Sequence, residues 1–72
     1  MEIGAVVRRR RKALGMNLAM LAEQIGSDPG NLSRIERGQQ DYTPAWLEAV
    51  ATALNTTVSE IVAEAEMPLH QP

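Results

Sequence analysis

Seventy-two residues with no cysteine, a single histidine and a formal net charge of −2 describe one small domain. Such a chain buries only about 60% of its unfolded surface, so dimerisation would help its stability. The absence of cysteine excludes a disulfide framework and a thiolate metal site, and the lone His70 gives little to build a metal centre or a histidine-based triad. No apolar run reaches the length of a membrane span and the N-terminus lacks an apolar signal core, so the expected location is the cytoplasm, with no membrane partner.

The charge is unevenly spread. All seven basic residues lie in residues 1–38 beside four acids, which leaves that half at +3. Residues 39–72 hold five acids and no lysine or arginine, a balance of −5. Local field outweighs the total when a protein meets a polyanion, so the negative sum does not exclude nucleic acid.

A first helix is predicted over residues 2–14, stopping at Gly15, with Ile3, Val7, Arg11 and Leu14 on one face at spacings of four, four and three. Arg11 is the anomaly, because a cation on a buried stripe needs a partner or costs several kcal/mol. The residues alone leave two readings: Arg11 is paired, or its stem packs while its head reaches water. The run Arg8, Arg9, Arg10, Arg11, Lys12 points around the whole helix and cannot face one ligand. Most of it is expected to be solvated, with some members near phosphate.

A second helix over residues 18–25 starts at an Asn17 cap and carries Leu21, Ala22 and Ile25 inward. Gly26 then lets the chain reverse. Asp28 followed by Pro29 signals the start of a third helix over residues 29–37, with Leu32 and Ile35 facing inward. Gly38 stands where the terminating residue must enter the left-handed region. Ala22 is small where the two helices must approach. The economical description is a helix-turn-helix.

Residues 39–43 form a linker. Thr43 and Pro44 open a fourth helix over residues 44–54, with Tyr42 and Leu47 placed as a hydrophobic staple and Leu47, Val50, Ala51 and Leu54 as the core stripe. Trp46 reads as filler of a core or interface rather than a ligand platform. Asn55 ends that helix, and Thr57 with Glu60 forms a capping box for a fifth over residues 58–66. Its apolar side is Val58, Ile61, Val62 and Ala65, while Glu64 and Glu66 read as solubility charges. Residues 67–72 hold two prolines and no periodicity, and are expected to form a flexible tail carrying His70.

The run LAEQIGSDPGNLSRIERG resembles the helix-turn-helix of the Cro/repressor-type DNA-binding proteins, the XRE or lambda repressor-like family. Leu21, Ala22, Glu23, then Ile25 and Gly26, then Leu32, Ser33, Arg34, Ile35, Glu36, Arg37 and Gly38 follow that family's order and spacing. The resemblance extends over about residues 3–62. It implies an all-α, compact five-helix domain over residues 1–66, with the helix-turn-helix at helices 2 and 3. It also implies that Arg11 pairs with Glu36.

The resemblance further assigns a DNA-binding surface. Asn17 and Leu18 would meet a phosphate at the start of helix 2, where relatives often have glutamine and this chain has Leu18; the backbone N–H groups of Leu18 and Ala19 can still serve. The base-reading positions fall on Pro29, Gly30 and Arg34, flanked by Asp28 and Asn31. Pro29 and Gly30 bring no hydrogen-bonding side chain, so readout leans on Arg34, suited to guanine, and Asn31, suited to adenine. Asp28 serves as a cap or reaches a cytosine amino group. Gly30 would let the backbone approach the groove floor. Ser33 and Arg37 suit phosphate. Relatives often carry cations in the linker; here Gln39, Gln40 and Tyr42 are neutral donors beside Asp41.

The expected function is a regulator, in the sense of a repressor, that binds double-stranded DNA as a homodimer through helix 5, with each helix 3 in a major groove. Small relatives include phage repressors, restriction-modification controllers and antitoxins, and the sequence does not choose among them. A second reading is a protein-interaction or antitoxin-type module on the same fold with weak or no DNA readout, motivated by Leu18, Pro29, Gly30 and the acidic linker. No cofactor and no small-molecule ligand are expected. Catalysis is not expected either: no nucleophile has a base beside it, and no glycine-rich phosphate loop occurs.

Overall fold

A computed structural model of the chain describes residues 2–67. The expected tail beyond Met67, His70 included, lies outside the described residues. Five helices follow one another: α1 (Ile3–Ala13), α2 (Leu18–Ile25), α3 (Pro29–Glu36), α4 (Pro44–Ala53) and α5 (Val58–Glu66). The second and fifth match the expected ranges. The first, third and fourth each end one residue early, with Leu14, Arg37 and Leu54 serving as C-caps.

Local chemistry sets these boundaries. The side chains of Asn17, Asp28, Thr43 and Thr57 each accept a hydrogen bond from the backbone N–H three residues on, at 2.8–3.1 Å. Those bonds satisfy donors that a helix start leaves orphaned. The box at α5 is only half formed, because Glu60 accepts from Thr56 Oγ1 at 2.6 Å. Gly26 (φ 70°) terminates α2 in the left-handed region, where a Cβ would be strained.

The helices pack as α1 on α3 and α5, α2 on α3 and α4, and α4 on α5. Leu21, Leu32, Ile61, Val6, Val7 and Val50 are fully enclosed at their junction, each burial favouring the fold by roughly 1.5–3 kcal/mol. Leu14, expected on the buried stripe of α1, is 53% exposed. The helix has ended by then, and the chain turning into Gly15 (φ 74°) carries Leu14 to a surface groove beside Leu54. Val6, omitted from the predicted stripe, lies in the core instead.

Two interactions lock α1 to the rest. Arg11 Nε and Nη2 donate to the two carboxylate oxygens of Glu36 at 2.8 and 3.0 Å, and Nη1 donates to the Met16 carbonyl at 2.8 Å. Arg11 therefore does not reach water. At the surface, Arg9 and Arg10 both grip Glu64 of α5, at 2.7 and 2.9 Å. This corrects the reading of Glu64 as a solubility charge; of the basic run, Arg8, Arg9 and Lys12 are exposed as expected, while Arg10 is half-buried and Arg11 buried. The pairing depends on α5 lying beside α1, which no local pattern reveals.

Candidate nucleic-acid interface

The turn between α2 and α3 is short and well bonded. Gly26 enters the left-handed region, and the Ser27 N–H donates to the Ala22 carbonyl at 2.9 Å. Ala22 is buried, so the two helices meet across a residue with almost no side chain. From that base α3 directs Leu32, Ile35 and Glu36 inward. Pro29, Gly30, Arg34 and Arg37 are exposed on the other side, with Asn31 and Ser33 half-buried at its margins. The Arg11–Glu36 pair lies beneath the helix and fixes its height above the body.

Asp28 spends one oxygen on the cap of α3, accepting from the Asn31 N–H at 3.0 Å. A Cβ at Gly30 would stand 3.1 Å from that same Asp28 oxygen and 3.6 Å from Arg34 Nη1. A side chain at position 30 would therefore press on the cap oxygen of Asp28, while its approach to Arg34 is ordinary contact.

The half-buried Gln40 does something the sequence did not suggest. Its Oε1 accepts from Arg34 Nε at 2.8 Å and its amide nitrogen donates to Asn31 Oδ1. Asn31 Nδ2 donates in turn to Ser27 Oγ at 3.2 Å. The linker therefore ties together the two side chains assigned to base edges. Gln40 is expected to donate to phosphate; its oxygen and one amide N–H are engaged within the protein, and the second N–H remains for that role. Only contact across the α3–α4 turn could disclose this, and no sequence signal marks it.

The remaining assigned residues are more dispersed. Asn17 caps α2 through its side chain, and Leu18 is half-buried against the core rather than open to a ligand. The first-turn N–H groups of α2 stay at that corner. Arg37 Nε donates to the Ser33 carbonyl at 3.3 Å. Gln39 and Tyr42 are exposed, and the Tyr42 ring lies against Trp46 with centroids 5.4 Å apart. Arg34 and Arg37 make no ion pair among the described residues. The outer side of α3 thus offers two uncompensated guanidinium groups on a rigid rod.

Two short helices at a tight turn, the second standing outward over a buried arginine–glutamate pair, define a helix-turn-helix domain. The chain belongs to that family: residues 2–63 match the family described as a helix-turn-helix domain. It is 42% identical over 66 residues to the competence pilus inhibition repressor of Acinetobacter baylyi, a match covering 92% of this chain. The chain spans 60% of the length of that curated relative. Among solved structures it is similar to the clp gene regulator ClgR from Corynebacterium glutamicum, at 36% identity and a TM-score of 0.87, covering 89% of this chain and 68% of that one. It is also similar to SinR, described as the master regulator for biofilm formation and solved in complex with DNA. There the identity is 34% and the TM-score 0.77, over 83% of this chain and 97% of that one. These relatives are named as regulators and a repressor, not as enzymes. Among the described residues, no helix is long and apolar enough to cross a membrane.

Proposed function

We propose that the protein is a sequence-specific DNA-binding transcriptional repressor, acting in the cytoplasm as a homodimer. The observation that carries this reading is the open outer side of α3: Pro29, Gly30, Arg34 and Arg37 are all exposed. A helix walled off by its own domain could not enter a groove. The name of the A. baylyi relative and the DNA-bound state of SinR support the same reading.

In this proposal the leading end of α3 lies in the major groove. Arg34 reads guanine through O6 and N7, and Asn31 reads adenine by exchanging its bonds to Gln40 and Ser27 for the base edge. Ser33, Arg37, Gln39 and Tyr42, with the first-turn N–H groups of α2 next to Asn17 and Leu18, are assigned to the sugar–phosphate backbone. Asp28, Pro29 and Gly30 shape the helix start rather than read bases. Gln40 holds Arg34 and Asn31 in register before DNA arrives, which lowers the ordering cost on binding. The dimer is assigned to α5, whose half-buried Val58 and Val62 leave apolar surface beyond what the core uses. Two copies would then present α3 to half-sites about one helical turn apart, ~34 Å.

Selection of bound duplexes from a random pool tests the proposal. A symmetric site with that half-site spacing is the expected product. Arg34→Ala should then relax preference at one base pair per half-site, weakening binding by about 1–3 kcal/mol. A pool that yields no enriched site would reassign the fold to a protein-interaction role, and unchanged preference in Arg34→Ala would remove Arg34 from the readout.

A further inference from the structure

A surface groove of about 450 Å³ runs between α1 and the end of α3, lined by Ala5, Arg8, Arg9, Lys12, Glu36 and Arg37. Its only carboxylate is already committed, because both Glu36 oxygens accept from Arg11. Arg9 is likewise taken up by Glu64. Arg8, Lys12 and Arg37 remain exposed, and none makes an ion pair among the described residues. Three uncompensated cations thus share one groove in a chain whose net charge is −2.

Their placement follows from the fold. Arg8 and Lys12 are four residues apart on α1 and project side by side, an arrangement mildly destabilising for like charges. Arg37 faces them from the C-cap of α3. Gly4 brings the two helices this close: a Cβ there would clash with the Ile35 carbonyl oxygen and sit 2.7 Å from that of Glu36.

We propose that this groove is a second phosphate-binding surface, gripping the duplex backbone that flanks the bases under α3. The inference rests on the DNA-binding reading above. Arg37 belongs both to the end of α3 and to the groove wall, so the groove extends the α3 surface onto α1. Long, flexible cations suit a backbone phosphate, which asks for charge neutralisation and counterion release more than fixed geometry. The linker of Gln39, Gln40, Asp41 and Tyr42 brings no cation, so on this chain the electrostatic grip moves from the linker to α1. Binding through the groove is indifferent to sequence and depends on how far the duplex extends.

The test compares the full chain with the double variant Arg8→Ala/Lys12→Ala on a selected duplex. Affinity is measured across a salt series, on the site alone and on the site extended by about half a helical turn at each end. Both side chains are exposed and unpaired, so a urea midpoint equal to wild type is expected for the variant. The wild-type chain should gain affinity from the extension. The variant should lose that gain, and its log K against log salt slope should be shallower by about 1.8 per chain, for two lost phosphate contacts. Its ranking of different core sequences should not change. A variant that binds DNA with the wild-type slope and the wild-type gain would overturn the groove assignment alone, and would suit an acidic protein partner there. A wild-type chain that binds no duplex would overturn the DNA reading and the groove with it.

Discussion

Removing the carboxylate under α3 should cost the fold more than any other single polar change. In Glu36→Ala the Arg11 guanidinium, whose side chain is 7% exposed, would keep only its bond to the Met16 carbonyl. It would lose two charge-assisted hydrogen bonds of 2.8 and 3.0 Å. An uncompensated buried charge of this kind costs about 3–5 kcal/mol. A domain of this size has a total stability of roughly 4–11 kcal/mol, so the variant should lose between about a quarter of its stability and all of it. At about 4–8 °C per kcal/mol, Tm should fall by on the order of 12–40 °C. Urea titration followed by far-ultraviolet circular dichroism measures the loss at 25 °C. The double variant Arg11→Met/Glu36→Leu separates an orphaned charge from lost packing. Removing both charges should recover most of the stability, since apolar replacements of similar volume are often neutral or better. A loss below about 1 kcal/mol in Glu36→Ala would refute the account, because it would mean that Arg11 finds water without its partner.

Two further outcomes follow from the way α1 is held. Gly4→Ala should destabilise by about 1–3 kcal/mol, because the new methyl meets backbone carbonyls of α3 that cannot move aside; a urea midpoint equal to wild type would show that α1 can slide. Glu64→Gln should lose no more than about 1 kcal/mol at neutral pH, as its pairs with Arg9 and Arg10 are partly exposed. The hydrogen bond from Arg9 leads in holding the Glu64 carboxyl below the usual carboxylate range; burial opposes it, while Arg10 helps. A group whose folded pKa is depressed stabilises the fold above its unfolded value, about 4.3, and loses that contribution as pH falls through the folded value. The gap between wild type and Glu64→Gln should therefore close on acidification, and a gap that widens below pH 4 would contradict the assignment.

What can be read along the chain is what short-range forces control. Helix period, the four side-chain caps and the left-handed glycines each act within a few residues. For that reason the five helices, the turn at Gly26 and the inward Leu32 and Ile35 were legible before any coordinates. The Arg11–Glu36 partnership was legible only through family resemblance, since a cation on an apolar stripe reveals a need and not its answer.

The tertiary structure decided everything that spans two helices. Glu64 looked like a surface charge until α5 was laid along α1, 55 residues away from Arg9 in sequence. Gly4 looked like an ordinary helical residue until the carbonyls of α3 were seen where its Cβ would be. The bonds from Gln40 to Arg34 and Asn31 exist only because the linker folds back over α3. Leu14 looked buried until the end of α1 passed beyond the core. In each case the deciding quantity is the position of one rigid helix relative to another, which is set by the packing of the whole interior rather than by the residue's neighbours in sequence.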